Sequence, residues 1–160
     1  MRIIILAAGR LKDEIEQAHF RRYAALFDAA ARGLRMPPLQ MIEFSESRVA
    51  TAERRKADEA RDFAARTPSG ARLLALDAGG ELLTSPALAA LLQHHREAAT
   101  PALVFAVGGP DGHDAALLSS ATAKLSFGRI TLPHGLARIV LAEQLYRALT
   151  IIAGHPYHRA

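Results

Sequence analysis

Short apolar runs alternate along the chain with longer segments in which apolar residues recur every three or four positions. The apolar runs predict strands over residues 3–8, 39–44, 72–77, 102–107 and 129–132. The periodic segments predict helices over residues 12–32, 48–66, 84–98 and 111–122, and a last helix after Pro133. Because a helix follows each strand, this order predicts an α/β fold in which a mostly parallel sheet is flanked by helices.

Small residues and prolines mark several of the predicted boundaries. Residues 78–80, A-G-G, are expected to end the third strand. Thr84 or Ser85 is expected to cap the helix that follows, with Pro86 at its first position. Pro133 has no N–H to donate to a sheet, so the last predicted strand ends there.

The length and composition indicate a globular chain. A length of 160 residues with 50% apolar residues predicts one domain, residues 1–160, with a buried core. No apolar run approaches the roughly 20 residues that cross a bilayer, and the first strand is too short for a signal peptide. The chain has no cysteine, which excludes disulfides and thiolate metal sites. We therefore expect a soluble, cytoplasmic protein.

The charge is mildly basic. The net charge is +4, and most of the 20 cationic side chains are arginines. Arginine binds phosphate through paired hydrogen bonds, which is compatible with an RNA partner. A genomic bias towards arginine and alanine explains the same composition, so the charge leaves the partner open.

Two predicted strands end in glycine-bearing segments, L-D-A-G-G at residues 76–80 and V-G-G-P-D-G at residues 107–112. The second lacks the G-x-G-x-x-G spacing and has no P-loop lysine, and Pro110 removes one N–H from any phosphate cradle. Glycine lets a ligand approach the backbone closely, which favours a nucleoside-like ligand held by amides and carbonyls. The alternative is a tight turn in which Asp111 caps the next helix.

A further loop, S-F-G-R-I-T-L-P-H at residues 126–134, lies downstream of the second glycine segment. In open α/β sheets the ligand crevice forms outside the carboxyl ends of the strands. We therefore interpret these two loops as parts of one site.

The chain closes with the polar, ring-bearing segment H-P-Y-H-R at residues 155–159. It is either a solvated tail or a clamp in which Tyr157 stacks on a base and Arg159 contacts phosphate. The His155–His158 pair lacks a third ligand at metal spacing, so no metal site is predicted. The sequence also contains no evident nucleophilic triad and no G-x-S-x-G elbow.

These motifs in series resemble a known family. G-G-P-D-G, S-F-G-R-I-T-L-P-H, R-I-V-L-A-E-Q-L-Y-R-A and the terminal H-P-Y-H-R occur in the order and spacing of the ribosomal RNA large subunit methyltransferase H family. That family is the small, single-domain branch of the SPOUT methyltransferases, and the resemblance covers the whole chain. One departure is Glu81, which stands where the family usually has a lysine.

The resemblance implies a fold, a cofactor and a substrate. It implies a C-terminal trefoil knot, an exception to the usual threading rules, and an S-adenosyl-methionine site. It further implies a homodimer, with each site completed by the partner, and N3-methylation of a pseudouridine in 23S ribosomal RNA of the assembled ribosome. No metal and no membrane are needed.

The resemblance also carries over particular site residues. The expected cofactor-binding residues are Leu76, Gly108, Phe127, Gly128, Arg129, Ile130, Thr131 and Leu132. The expected catalytic residues are His155, Tyr157, His158 and Arg159, with His134 as a further candidate. The histidines or the tyrosine would remove the N3 proton or orient the base, and the arginine would hold phosphate or stabilise the developing anion.

Other functions stay open from the sequence. The chain is compatible with a SPOUT enzyme that methylates another RNA such as tRNA, and with a non-catalytic module that binds RNA or a nucleotide. A flavodoxin-like fold also fits the strand order, but it leaves the H-P-Y-H-R segment unexplained.

Overall fold

The computed structural model describes residues 1–157, in which five parallel strands are hydrogen-bonded in the order β2-β1-β4-β3-β5. The strands are β1 (Arg2–Ala8), β2 (Gln40–Phe44), β3 (Arg72–Leu82), β4 (Ala102–Val107) and β5 (Ala123–Ser126). The helices are α1 (Glu14–Gly33), α2 (Ala52–Arg66), α3 (Ser85–Glu97), α4 (Ala115–Ser120) and α5 (His134–Ile152). The predicted α/β class with a parallel, helix-flanked sheet is confirmed.

The core lies on both faces of β1 and β4, two neighbouring inner strands that pair from Arg2↔Ala102 to Ala7↔Val107. Every residue of β4 is buried. Alternate residues of both strands face a larger cluster with α1, α3 and α5, and the others face a smaller cluster with α2 and α4. Burial on both faces is why these strands are continuous apolar runs rather than alternating ones.

A buried arginine fixes α5 to the carboxyl end of β1. Arg138 is fully buried, and its Nη1 donates to Glu43 at 2.8 Å. Its Nη2 donates to the carbonyl oxygens of Ala8 at 2.7 Å and Gly9 at 3.1 Å. A buried charge needs such partners, because its desolvation is expensive. The beginning of α5 is therefore held over the same edge of the sheet at which the predicted site lies.

The last predicted strand is wrong. Residues 129–132 form part of a loop, and the fifth strand is Ala123–Ser126, which pairs with β3 at the edge of the sheet. Gly128, with φ of +124°, turns the chain away after β5, and Ile130 is 83% exposed. The strand was missed because a short edge strand has neighbours on one side only and contains no apolar run.

Three other predicted boundaries are also corrected. β3 continues to Leu82, and its pairing with β5 shifts between Leu76 and Glu81, so residues 77–80 form an irregularity within the strand rather than its end. α2 begins at Ala52, after the N-cap Thr51. α4 is shorter than predicted and is capped by Asp114 instead of Asp111.

The trefoil knot implied by the resemblance stays a prediction. Among residues 1–157, no helix combines the length and the apolar character needed to cross a membrane.

Candidate active site

A crevice of about 750 Å³ opens at the carboxyl ends of β4 and β5, beside the irregular middle part of β3. It is lined by residues 76–78, 107–112 and 125–134 apart from Arg129, and by Ala137. The lining thus comes from the middle of β3, from the loops that follow β4 and β5, and from the first turn of α5. The prediction that the segments after two strands, residues 108–112 and 126–134, meet at one place is confirmed.

The structure brings most of the predicted cofactor residues together. The crevice is lined by Leu76, Gly108, Phe127, Gly128, Ile130, Thr131 and Leu132, and by the further candidate His134. Arg129 is exposed and does not line the crevice. That these residues bind a cofactor stays a prediction.

The first side of the crevice is a loop that we call the anchored loop, residues 108–112. The Gly112 N–H donates to the Gly109 carbonyl at 3.0 Å and closes a turn with Pro110 at its second position. Arg55 of α2 binds Asp111 through two hydrogen bonds of 2.6 and 3.1 Å. These contacts hold the turn against α2.

Gly108 is needed for packing within the anchored loop. A Cβ at Gly108 would lie 3.2 Å from the carbonyl carbon of Gly112 and 3.2 Å from Cε1 of His113. The glycine therefore accommodates its own neighbours in addition to any approaching ligand.

His113 is a buried side chain behind this loop that the sequence interpretation missed. Its Nε2 lies 3.2 Å from the carbonyl oxygen of Ala106, and its ring meets the Phe63 ring edge-on at 5.3 Å between centroids. Burial lowers the pKa of His113, so the neutral imidazole is favoured. The ring lies next to Gly108 and does not line the crevice.

The second side of the crevice is a loop that we call the exposed loop, residues 127–133. At its start, the Gly128 N–H donates to the Ser126 hydroxyl oxygen at 3.1 Å. At its end, the Pro133 carbonyl accepts the Ala137 N–H at 2.9 Å as α5 begins. Between these points Ile130 is exposed. The hydrogen bonds described for this loop are thus local.

A smaller pocket of about 370 Å³ continues from the crevice between β3, α3 and α5. The two cavities share Leu76, Leu125, Ser126 and Phe127. The deeper lining is largely apolar, with the Ser85 hydroxyl donating to Gln144 at 2.7 Å. Together the cavities suit an elongated ligand with apolar and polar parts.

The charges of the crevice favour a cationic ligand. Within the described part of the chain, its lining includes the carboxylates of Asp77 and Asp111 but no lysine or arginine. Asp77 accepts the Gly79 N–H at 2.8 Å. Arg55 lowers the pKa of Asp111 by hydrogen bonding and compensates its charge, so Asp77 carries the less compensated negative charge.

The described part of the C-terminal segment packs on α5, away from the crevice. The Tyr157 hydroxyl donates to Glu143 at 3.1 Å, and its ring lies 4.6 Å from the Tyr146 ring between centroids. The guanidinium of Arg147 lies over the Tyr157 ring, 4.8 Å from its centroid. Since Tyr146 follows Ala137 by nine residues, this contact is roughly 13 Å further along the helix axis.

The other predicted catalytic residues are His155, His158 and Arg159. His155 is exposed, and its N–H donates to the Thr150 carbonyl at 2.8 Å. His158 and Arg159 lie outside the described residues. In one chain, therefore, the structure does not bring His155 or Tyr157 to the crevice. Across residues 1–157, no three His, Asp or Glu side chains lie close enough to hold a metal ion.

Comparison with known proteins identifies the class of this protein. The family model described as "Predicted SPOUT methyltransferase" matches residues 1–158. The chain therefore belongs to the SPOUT methyltransferase family, and the predictions of a methyltransferase and of S-adenosyl-methionine as its cofactor are confirmed at the level of the family.

Individual relatives are more specific. The chain is 47% identical to the ribosomal RNA large subunit methyltransferase H of Methylocella silvestris, over 99% of each chain. It is 49% identical to the protein of the same name from Methylobacterium radiotolerans, over 99% of this chain and 98% of the relative. The predicted resemblance to that group is confirmed.

Proposed function

We propose that this methyltransferase transfers the methyl group of S-adenosyl-methionine to N3 of a pseudouridine in 23S ribosomal RNA of the assembled ribosome. The observation that carries the proposal is the crevice, whose lining includes all but one of the expected cofactor residues. The full-length relatives named ribosomal RNA large subunit methyltransferase H support the substrate class.

The crevice fits this methyl donor in size and charge. Its volume of about 750 Å³ is within the roughly 300–1,000 Å³ of small-molecule sites. When bound, S-adenosyl-methionine supplies an electrophilic methyl on a positively charged sulfonium. The anchored loop, the exposed loop and Leu76 would hold the adenosine and methionine parts, and the Asp77 carboxylate favours the positive charge.

The reaction consists of one displacement for which the protein supplies alignment and proton removal. The N3–CH₃ bond forms as the methyl–sulfur bond breaks, and the proton on N3 leaves to a base. Alignment of donor and acceptor in the crevice would lower the barrier by removing translational freedom and displacing water. His155 and His158 are proposed to remove or relay this proton, and Arg159 to bind phosphate or the developing anion.

Tyr157 is better suited to anchor the chain end than to accept a proton. Burial and the hydrogen bond to Glu143 raise the pKa of its hydroxyl, so it stays protonated at neutral pH. Its ring contacts both Tyr146 and Arg147. We therefore assign it the role of anchoring residue 157 to α5.

The separation of Tyr157 from the crevice of its own chain favours a homodimer in which the end of one chain serves the crevice of the other. Exposed apolar side chains of both the crevice and α5, among them Ile130 and Leu136, give a second copy apolar area to cover.

The proposal is tested by calorimetry with S-adenosyl-homocysteine and by mass spectrometry of ribosomes from a deletion strain. Micromolar binding and loss of one methyl group from a 23S pseudouridine are expected. Unchanged methylation would contradict the substrate assignment. Equal activity on naked tRNA would favour another SPOUT substrate, and absence of cofactor binding would favour a non-catalytic module.

A second experiment separates anchoring from catalysis at the chain end. Deletion of residues 158–160 is expected to abolish methyl transfer while leaving cofactor affinity unchanged. Tyr157→Phe keeps the ring contacts and loses only the hydrogen bond to Glu143, so partial activity is expected. Complete loss of activity in Tyr157→Phe, with normal dimerisation, would instead make the hydroxyl catalytic.

A further inference from the structure

Glu59 is a buried carboxylate for which the proposed reaction has no use. It lies on the inner face of α2 and is 5% exposed. Its Oε1 accepts the backbone N–H of Ser47 at 3.2 Å. Glu59 does not line the crevice, so any role in binding has to act through other residues.

The second partner of Glu59 is the anchored loop. The backbone N–H of Gly109 opposes the rise in the pKa of the Glu59 carboxyl that burial causes. A Cβ at Gly109 would lie 3.1 and 3.2 Å from the two carboxylate oxygens, which shows how closely the loop approaches α2. Gly109 itself lines the crevice. One carboxylate thus bridges the segment before α2 and one side of the crevice.

Arg55 makes a second, independent connection one turn earlier on the same helix. It binds Asp111 through two hydrogen bonds and donates from Nη1 to the carbonyl oxygens of Val49 and Ala50 at 3.1 and 3.2 Å. Like Glu59, Arg55 lies behind the crevice and not in its lining. The planar guanidinium fixes the orientation of Asp111 as well as its distance.

We propose that Glu59 and Arg55 are positioning residues that set the shape of the anchored loop and thereby the affinity for the methyl donor. Glu59 holds the Gly109 amide at the start of the turn, and Arg55 holds the Asp111 carboxylate within it. The segment of residues 47–50 contacts both side chains, because the Ser47 N–H binds Glu59 and the carbonyls of residues 49 and 50 bind Arg55. This inference rests on the proposed function of the crevice.

Free energy of unfolding and cofactor affinity are expected to respond differently at Glu59. Burial raises the pKa of this carboxyl above its usual value, so keeping it charged at neutral pH opposes folding. Since the folded pKa is raised, this unfavourable contribution grows as the pH rises through that pKa. Glutamine has the same size and no charge, so it removes this unfavourable contribution. However, its side-chain N–H₂ would face the backbone N–H of Ser47 or of Gly109, and two donors cannot bond to each other.

The test compares Glu59→Gln with wild type for thermal stability and for S-adenosyl-homocysteine binding by calorimetry. We expect a Tm within about 3 °C of wild type and a Kd raised roughly 10-fold by the misplaced Gly109 amide. With ribosomes as substrate, the KM for S-adenosyl-methionine is expected to rise in parallel, while kcat at saturating donor changes little. Asp62→Asn is the matched control, because Asp62 is on the same helix and pairs with Arg66.

Arg55 provides the second pair of variants. Arg55→Met is expected to raise the Kd about 5-fold, and Arg55→Lys to restore only part of the affinity because it lacks the paired hydrogen bonds. Arg61→Met is the control, since Arg61 is largely exposed and pairs with Asp58 within α2.

The outcomes separate this inference from the proposed function. Wild-type affinity in both Glu59→Gln and Arg55→Met, or a lowered Tm with unchanged Kd, would overturn the positioning role and leave the proposed function intact. Absence of binding to the wild-type protein would overturn the proposed function itself. If Glu59→Gln fails to fold, the Arg55 series decides the matter.

Discussion

The two loops that line the same crevice are held in different ways. The anchored loop is closed by its own turn, Asp111 binds Arg55 of α2, and Gly109 lies close to the Glu59 carboxylate. The hydrogen bonds described for the exposed loop are local, and Ile130 is 83% exposed. One side of the crevice is therefore fixed by contacts within the chain. The other side leaves apolar area that a ligand or a second copy of the chain can cover.

The position of each loop in the sheet explains the difference. The anchored loop follows β4, which has β1 on one side and β3 on the other, and α2 packs beside it. The exposed loop follows β5, which pairs only with β3. A loop after an inner strand has partners in several directions, whereas a loop at a sheet edge has few.

The largest expected effect comes from breaking the anchored loop. Gly108→Val places a branched side chain 3.2 Å from both the Gly112 backbone and the His113 ring, so the free energy of unfolding is expected to fall by about 1–3 kcal/mol. Urea denaturation measures this change, and calorimetry should show loss of S-adenosyl-homocysteine binding. Wild-type stability would show that the loop accommodates the side chain. Normal affinity would remove Gly108 from the site.

A smaller effect is expected from the exposed loop. Ile130→Ala removes an exposed side chain, so the free energy of unfolding without cofactor should stay within about 0.5 kcal/mol of wild type. The affinity for S-adenosyl-homocysteine should fall roughly 5-fold, because methylene groups that the ligand covers are lost. Thermal melts with and without the ligand give both values. A large drop in the ligand-free melt would show that the exposed loop is packed as firmly as the anchored one.

The smallest effect is a difference in backbone protection. Hydrogen exchange without ligand is expected to be faster in residues 127–133 than in residues 108–112, because local contacts open at lower free energy. Saturating S-adenosyl-homocysteine should slow exchange in the exposed loop by about 3-fold or more and change the anchored loop less. Equal slowing of both loops would contradict the distinction between a preformed and a ligand-ordered side.

The success of the sequence predictions followed the type of signal available. β1 and β4 were predicted within a residue, because a strand buried on both faces must be apolar throughout. β5 was missed and residues 129–132 were assigned to a strand in its place. An edge strand of four residues is defined by its pairing with β3, and local sequence carries little of that information.

The site residues divide in the same way. The glycines of the anchored loop and the S-F-G-R-I-T-L-P-H segment stand out in the sequence as motifs. Glu59, Arg55 and His113 carry no motif, since their roles depend on which backbone atoms come to lie beside α2 and β4. The Arg55–Asp111 pair, for example, joins residues that lie 56 positions apart in the chain.

By itself the sequence determined the α/β class, the family and the segments that line the crevice, because periodicity and motifs are local properties of the chain. Only the tertiary structure decided that Tyr157 packs against Glu143 and not against the crevice of its own chain. It alone also decided that α2 supports one side of the site. Both depend on packing between distant segments, where shape and burial select the partners and no short pattern records the choice.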